Sequence, residues 1–400
     1  MSAAAGSNPS VPWWKEPTRD QWYAFIAAWL GWTLDAFDFT VFLLIMHAIA
    51  QDFNVSMLSV TFVFTITLWM RLLGATASGW IGDRIGRKKP LMIAILGLFM
   101  GAEWPAGSAL AMETWPQRSR GFMGGVLQGS WGIGFLMSFA IYGLFYNSIG
   151  WRGMLMVGVL PALAVVYVRF FVKEPEVWVE NRRLQKAENR ECKAPLFSIF
   201  KRGMIGNTLT ACWWMASGFV TYYSVTVLFA THLQVDLHMS PGAIGEVGVA
   251  ANLVTFLSSA LWGWLADRIG RRASMIIPAL IAIPLAPMYL LSHDFSLIWW
   301  GFVLQGAAGA GGMQGQMATY LNERFPTEVR ATASGFCYHQ GAIWGGLVAP
   351  IVAYFATSWG LGYAIPMMIG TMIFALSYVL ALLAGPETKG KQLVADLVVA

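Results

Sequence analysis

Charge is scarce in this chain. Lys and Arg number 26 and Asp and Glu 21 among 400 residues, so 12% are charged against 57% hydrophobic, about half the charged share of a soluble domain. That imbalance excludes an ordinary soluble globular protein. Cysteine is scarcer: Cys192, Cys212 and Cys337 lie far apart and offer neither a disulfide framework nor a metal-ligand spacing. No metal site is expected, and the redox compartment cannot be read from them. Residues 1–21 are polar, rich in Ser, Pro and Ala, with Lys15 and Arg19 before the first apolar run. They lack a compact apolar segment ending in a small-residue cleavage site, so the first span is expected to be retained. The net charge of +5 could suggest nucleic acid, but the basic residues sit in turns between spans, as orientation signals do. No nucleic-acid partner is expected. No nucleophile–base pair, metal cluster or cofactor loop emerges, so neither an enzyme nor a cofactor is expected.

What the chain has in plenty is long apolar runs, each able to cross ~30 Å of hydrocarbon as a helix. The fold class is therefore all-α and polytopic. Spans read at about 22–50, 56–80, 91–112, 121–147, 153–172, 205–233, 243–265, 274–292, 296–321, 331–357 and 361–385, eleven in all. They divide the chain into a cytoplasmic tail (1–21), a membrane half (22–172), a charged cytoplasmic linker (173–204) expected to form surface helix, a second half (205–385) and a tail (386–400). With both termini inside, Lys15, Arg19, the 84–89 and 268–272 clusters, the linker, Arg324, Arg330, Lys389 and Lys391 all face the cytoplasm, and Arg152 alone lies outside. One place breaks the alternation: Lys89 and Arg118 both ask to be inside, yet one apolar stretch separates them.

Between the second and third stretches stands Gly79–Lys89, GWIGDRIGRKK, which returns at Gly263–Arg272 as GWLADRIGRR, 184 residues on. Gly79, Asp83, Arg84, Gly86 and Arg87 match Gly263, Asp267, Arg268, Gly270 and Arg271. A second pair follows, Glu113-Thr-Trp-Pro-Gln-Arg-Ser-Arg120 and Glu323-Arg-Phe-Pro-Thr-Glu-Val-Arg330. Two duplicated cytoplasmic turns imply two related halves. The pattern G-x-x-x-D-R-x-G-R-K/R, doubled at this spacing, resembles the signature loop of the major facilitator superfamily of transporters. Trp-Thr-Leu-Asp35-Ala-Phe-Asp38-Phe, Gly101-Ala-Glu103-Trp-Pro-Ala-Gly107, Gln128-Gly-Ser-Trp131-Gly and Lys173-Glu-Pro-Glu-Val-Trp178 are similar to the sialate and monocarboxylate:proton symporter group. The D-x-x-D element is also similar to that of aromatic-acid:proton symporters. The resemblance implies a two-half helical bundle of twelve helices, and proton-coupled symport of a small organic carboxylate such as sialic acid, lactate or pyruvate across the plasma membrane by alternating access. A monomer in the lipid bilayer is expected.

The chain departs from that pattern in one place. From Asp83 to Glu113 is 30 residues, but from Asp267 to Glu323 is 56. The first half is about 26 residues short, one crossing with its turn at 1.5 Å per residue. The join is expected near Leu98–Gly101, and Leu91–Met112 must either return as a re-entrant hairpin or cross once and reverse one flank. The arginine that the family places about a dozen residues before the Glu of GAEWPAG falls within the missing segment. A transport-incompetent membrane protein, a sensor or a degenerate relative, is therefore the alternative function.

Ionisable groups inside the membrane are expensive and need a reason to be there. Asp35 and Asp38 lie about 60° apart on one helix face, near enough to disfavour double ionisation. With Arg71 and Glu103 they are the candidate proton-coupling residues, or alternatively a structural partner set for Arg71. Glu246 reads as interfacial. Gln128, Trp131, Tyr222, Tyr223, Asn252, Gln314, His339 and Gln340, with Gln316, are polar or amphipathic groups within apolar spans, candidates for substrate contact or for interhelical hydrogen bonds. The Gly-rich run Gly306–Gly315 reads as close helix packing. In the duplicated turns Asp83 and Asp267 are expected to cap the helix that follows each, and Arg84, Arg87, Arg268 and Arg271 to bridge to Glu113 and Glu323. Together with Gly79, Gly86, Arg120, Gly263, Gly270 and Arg330 they form the candidate cytoplasmic gate.

Overall fold

The computed structural model describes residues 12–89, 91, 103–157, 170–188 and 195–393. The described elements are helices: α1 (Arg19–Asp52), α2 (Met57–Ile85), α3 (Glu103–Thr114), α4 (Arg120–Val157), α5 (Glu176–Ala187), α6 (Ile205–Thr226), α7 (Phe229–Val235), α8 (Pro241–Ile269), α9 (Arg271–Leu290), α10 (Phe295–Gln305), α11 (Met317–Arg324), α12 (Arg330–Gly346), α13 (Val348–Ser358) and α14 (Ala364–Ala384). Local chemistry sets the ends. Thr18 caps α1, accepting from the Gln21 N–H while Gln21 Oε1 accepts from the Thr18 N–H at 2.7 Å. Ser56 and Ser240 cap α2 and α8 in matching places. Those two helices end at Gly86 (φ 111°) and Gly270 (φ 102°), a conformation that only glycine adopts cheaply.

Among the described residues, seven stretches are long and apolar enough to cross a membrane: Arg19–Asp52, Met57–Ile85, Gln117–Val157, Pro241–Ile269, Arg271–Leu290, Arg330–Ser358 and Ala364–Ala384. The eleven expected spans do not appear as eleven unbroken helices. The 205–233 span divides into α6 and α7, and α4 bends at Gly150 (φ 63°), where the 121–147 span meets the next. The 296–321 span breaks at a π-helical segment, Gly306–Gly312. There α8 supplies the missing partners: Thr255, Ser258 and Ser259 hydroxyls donate to the Gly306, Ala307 and Gly311 carbonyls. A Cβ on Gly306 would lie 2.6 Å from the Ala251 oxygen, so the glycine run does serve close packing.

The two ends of the shortened stretch meet: Arg87 Nη2 and Nε donate to Glu113 at 2.8 and 3.2 Å, while residues 92–102, on whose path the choice between hairpin and single crossing turns, lie outside the described residues. The 12 residues of α3 rise only about 18 Å. Leu91 packs with Ala106 and Leu110 of α3 against Ala24 and Ala27 of α1. The expected join at Leu98–Gly101 lies outside the described residues.

Candidate functional site

Two polar layers and an aromatic centre make up the site. At one end of the bundle, the face expected to be cytoplasmic, the two halves grip each other reciprocally. Asp83, at the end of α2, accepts from the Ala331 and Thr332 N–H groups (3.3 and 2.9 Å) and from the Thr332 hydroxyl (2.6 Å) at the start of α12. Asp267, at the end of α8, accepts from the Gly121 and Phe122 N–H groups (3.2 and 3.0 Å) at the start of α4. Each carboxylate thus caps a helix of the opposite half, where the dipole favours it, and not the helix that follows it as expected. The following helices are capped by residues that sequence reasoning missed. Glu174 accepts from the Arg87 and Lys88 N–H groups, and Glu387 from those of Arg271 and Arg272. The signal was present, a Glu beside a Pro just after the last span of each half.

The gate arginines divide. Arg87 meets Asp83 (2.6 Å) and Glu113, and Arg271 meets Asp267 (2.6 Å) and Glu323 (3.1 Å). Arg330 crosses between halves to Glu113 at 3.0 Å. Arg84 and Arg268, expected as bridges to these acids, lie instead over the rings of Trp80 and Trp264 at 4.5 and 3.6 Å. Arg120 donates to the carbonyls of Trp115 and Lys391. A Cβ on Gly79 would fall 2.7 Å from the Ala331 oxygen, and one on Gly263 2.6 Å from that of Gly121, so both glycines allow the halves to touch.

Deeper in the bundle, Arg71 of α2 donates to Asp35 of α1 in a short ion pair with both side chains largely buried, and the guanidinium lies 5.7 Å from the Phe39 ring. Asp38 is exposed, so the two acids of D-x-x-D take different surroundings. The Glu103 side chain lies outside the described residues. Phe39 leads from the ion pair into the centre, stacking on Tyr223 at 5.9 Å and meeting Trp131 at 5.4 Å. Trp131 of the first half donates to the Tyr222 hydroxyl of the second at 2.8 Å. Trp32 packs on Trp131, Trp104 stacks on Tyr338 at 3.8 Å, and Trp104 donates to Gln128 Oε1 at 3.2 Å. Between Trp131, Phe219, Tyr222, Tyr223, Gln314 and Tyr338 a cavity of about 10 Å³ remains, room for about one water. The centre is closed down in this conformation.

Of the expected contact residues, Gln128, Trp131, Tyr222, Tyr223 and Gln314 gather here. Asn252 borders a second small cavity behind Tyr222, with Gln305, and its amide donates to the Gly248 carbonyl. Gln340 ties α12 to the Cys212 carbonyl of α6 at 2.7 Å, His339 Nδ1 meets the Gly335 carbonyl of its own helix, and Gln316 donates to the Gly121 carbonyl in the gate layer. None of these three borders the central cavity. Trp32, Trp104, Phe219 and Tyr338 were not anticipated, because aromatic side chains are common in every span and carry no local pattern.

The sequence profile of the Major Facilitator Superfamily matches residues 28–99, 91–232 and 215–396. The sialic acid transporter NanX of Escherichia coli (strain K12) is 26% identical, with 96% of this chain and 98% of that protein covered. The cis,cis-muconate transport protein of Acinetobacter baylyi is also 26% identical, over 86% of this chain and 90% of its own length. Among solved structures, the proton:xylose symporter XylE aligns with a TM-score of 0.73 at 19% identity, covering 94% of this chain and 98% of that one. These relatives are transporters and not enzymes. Family profile, relatives and the doubled polar layer agree: this multi-pass membrane protein belongs to the major facilitator superfamily of secondary transporters.

Proposed function

We propose that the chain is a proton-coupled symporter of a small organic carboxylate in the plasma membrane, working by alternating access as a monomer. The observation that carries this reading is the Asp35–Arg71 ion pair at the edge of the aromatic centre. A proton on Asp35 removes the charge that holds Arg71, and a freed guanidinium is a ready partner for a substrate carboxylate. Arg71 thereby takes the place of the arginine lost with the missing crossing. The aromatic side chains supply the apolar walls, and Tyr222, Tyr223, Gln128 and Gln314 the orienting polar groups. The cytoplasmic layer, made of bonds between halves, closes the inner face, and those bonds break when the halves rock apart. The transport of sialic acid and of muconate by the relatives, as their names state, supports an organic acid as cargo.

The test is uptake of labelled sialic acid, lactate, pyruvate and cis,cis-muconate into proteoliposomes under an inward proton gradient. Gradient-driven uptake of one of these acids, lost in Asp35→Asn, is the expected outcome. The short first half favours one competing reading, a scaffold that no longer transports. In that case uptake of every acid would appear only after the missing crossing was restored between Lys89 and Glu103.

A further inference from the structure

A buried charge far from the aromatic centre has no counter-ion among the described residues. Arg324, at the end of α11, is 4% exposed. Its Nε donates to Asn207 Oδ1 at 2.8 Å and its Nη2 to the Asn207 carbonyl at 2.7 Å and to the Thr210 hydroxyl. All three acceptors are neutral. The Tyr320 ring lies 5.4 Å away, and Nη1 has no partner. The gate arginines Arg87, Arg271 and Arg330 each meet a carboxylate. Arg324 meets none among the described residues, although an uncompensated buried charge is strongly disfavoured.

Arg324 borders a cavity of about 880 Å³ on the cytoplasmic side, between the start of α6, the ends of α11 and α14, and the segment that follows α14. Three further features of its wall favour an anion. The start of α6, a helix of 22 residues, has no side-chain cap; the Ile205 N–H turns back to the Lys201 carbonyl at 3.1 Å, which leaves the N–H groups of Gly206 and Asn207 and the positive end of the dipole on offer. Gly203 and Gly206 both line the cavity, with no atom within 4 Å of where a Cβ would stand, so the backbone is open to a ligand there. Lys391 lines the opposite wall. Desolvation and the Arg330 and Arg324 guanidiniums hold its ammonium below the ordinary lysine range, against the opposing pull of Glu323. Among the described residues the wall holds one carboxylate, Glu387, and it is taken by the N–H groups of Arg271, Arg272, Thr388 and Lys389 at 2.9, 3.1, 2.9 and 2.9 Å. Nη1 of Arg324 lies 3.4 Å from the Cβ position of Gly385, itself part of the same wall.

We propose that this cavity is a binding site for a phosphate-type oxyanion, held by Arg324, Lys391 and the first turn of α6. Donors converging from three sides suit a tetrahedral group better than a planar carboxylate. The volume admits the phosphate of a soluble metabolite or of an anionic lipid headgroup. The occupant also braces a segment that reaches the other half, since the Gly390 and Lys391 carbonyls accept from Gln117 and Arg120. This inference is independent of the transport reading.

The test uses the full chain in phosphatidylcholine nanodiscs, with the thermal unfolding midpoint read against inorganic phosphate at constant ionic strength and, separately, against phosphatidylglycerol mixed into the disc. A saturable rise in midpoint is expected. A response to free phosphate assigns a soluble ligand and a response to phosphatidylglycerol alone assigns the headgroup; either supports the site. Arg324→Gln is expected to weaken the response about tenfold or more while leaving the anion-free midpoint equal to or above that of the parent chain, because a lone buried cation has been removed. Lys391→Gln, at an exposed position, is expected to weaken it a few-fold and keeps the test informative if Arg324→Gln does not fold. The proposal is overturned if neither anion moves the parent midpoint, or if the response survives unchanged in the variants that fold.

Discussion

The two halves make the same layer of ion pairs from unequal lengths of chain. Asp83 and Glu113 are 30 residues apart in sequence, and Asp267 and Glu323 are 56 apart, yet Arg87 reaches Glu113 much as Arg271 reaches Glu323. The contact between the ends is thus the same in both halves whatever the length of chain that joins them.

The layer is nevertheless unequal in detail. Asp83 is almost fully buried and holds three donors of the opposite half, whereas the Asp267 side chain is more open and holds two. Asp83→Ala takes from Arg87 one of its two carboxylates and leaves the α12 start uncapped in a dry site, and a loss of about 3–5 kcal/mol in unfolding free energy is expected. Asp267→Ala is expected to cost less, about 1.5–3 kcal/mol. Chemical denaturation of both variants in detergent checks the order. Equal losses would remove the asymmetry.

The capping glutamates sharpen the comparison through pH. Burial raises the Glu174 carboxyl above the ordinary range, with two backbone N–H groups and Arg87 opposing and Glu113 adding to the rise. Glu387 is also partly buried, but four backbone N–H groups win and hold it below that range. The signs are opposite. A depressed folded pKa contributes stability above the ordinary carboxylate range that is lost as pH falls through it, and a raised one contributes stability at low pH that is lost as pH rises. Glu387→Gln should therefore destabilise at neutral pH and converge on the parent chain in acid, whereas Glu174→Gln should be neutral or stabilising at pH 7. Thermal midpoints across a pH series read both. The smallest effect concerns the tryptophan shelves. Trp264→Leu should cost about 0.5–1 kcal/mol and Trp80→Leu less, because Arg268 sits closer to its ring than Arg84 does.

How much of this was legible follows from the range of each interaction. The all-α bundle was readable from the long apolar runs, and the contacts of Arg87 with Glu113 and of Arg271 with Glu323 from the two duplicated turns, Gly79–Lys89 with Gly263–Arg272 and Glu113–Arg120 with Glu323–Arg330. Which helix each Asp caps was not, because the partners of Asp83 lie about 250 residues away and no local pattern names them. Asp35 with Arg71 was readable, since charges are rare in apolar runs and each stands out. Trp32, Trp104 and Tyr338 were hidden among many aromatics, and Arg324 among the cations that orient the chain. Only its lack of an acid, which is a fact of three dimensions, sets it apart.

The central claim is that protonation of Asp35 governs Arg71 and so couples the proton to the cargo. Paired transport assays on Asp35→Asn test it most directly, comparing gradient-driven uptake with exchange of cargo between two loaded sides, which needs no net proton movement. The expected result is loss of accumulation by about tenfold or more with exchange retained, since the amide mimics the protonated acid. Accumulation as strong as in the parent chain would contradict it.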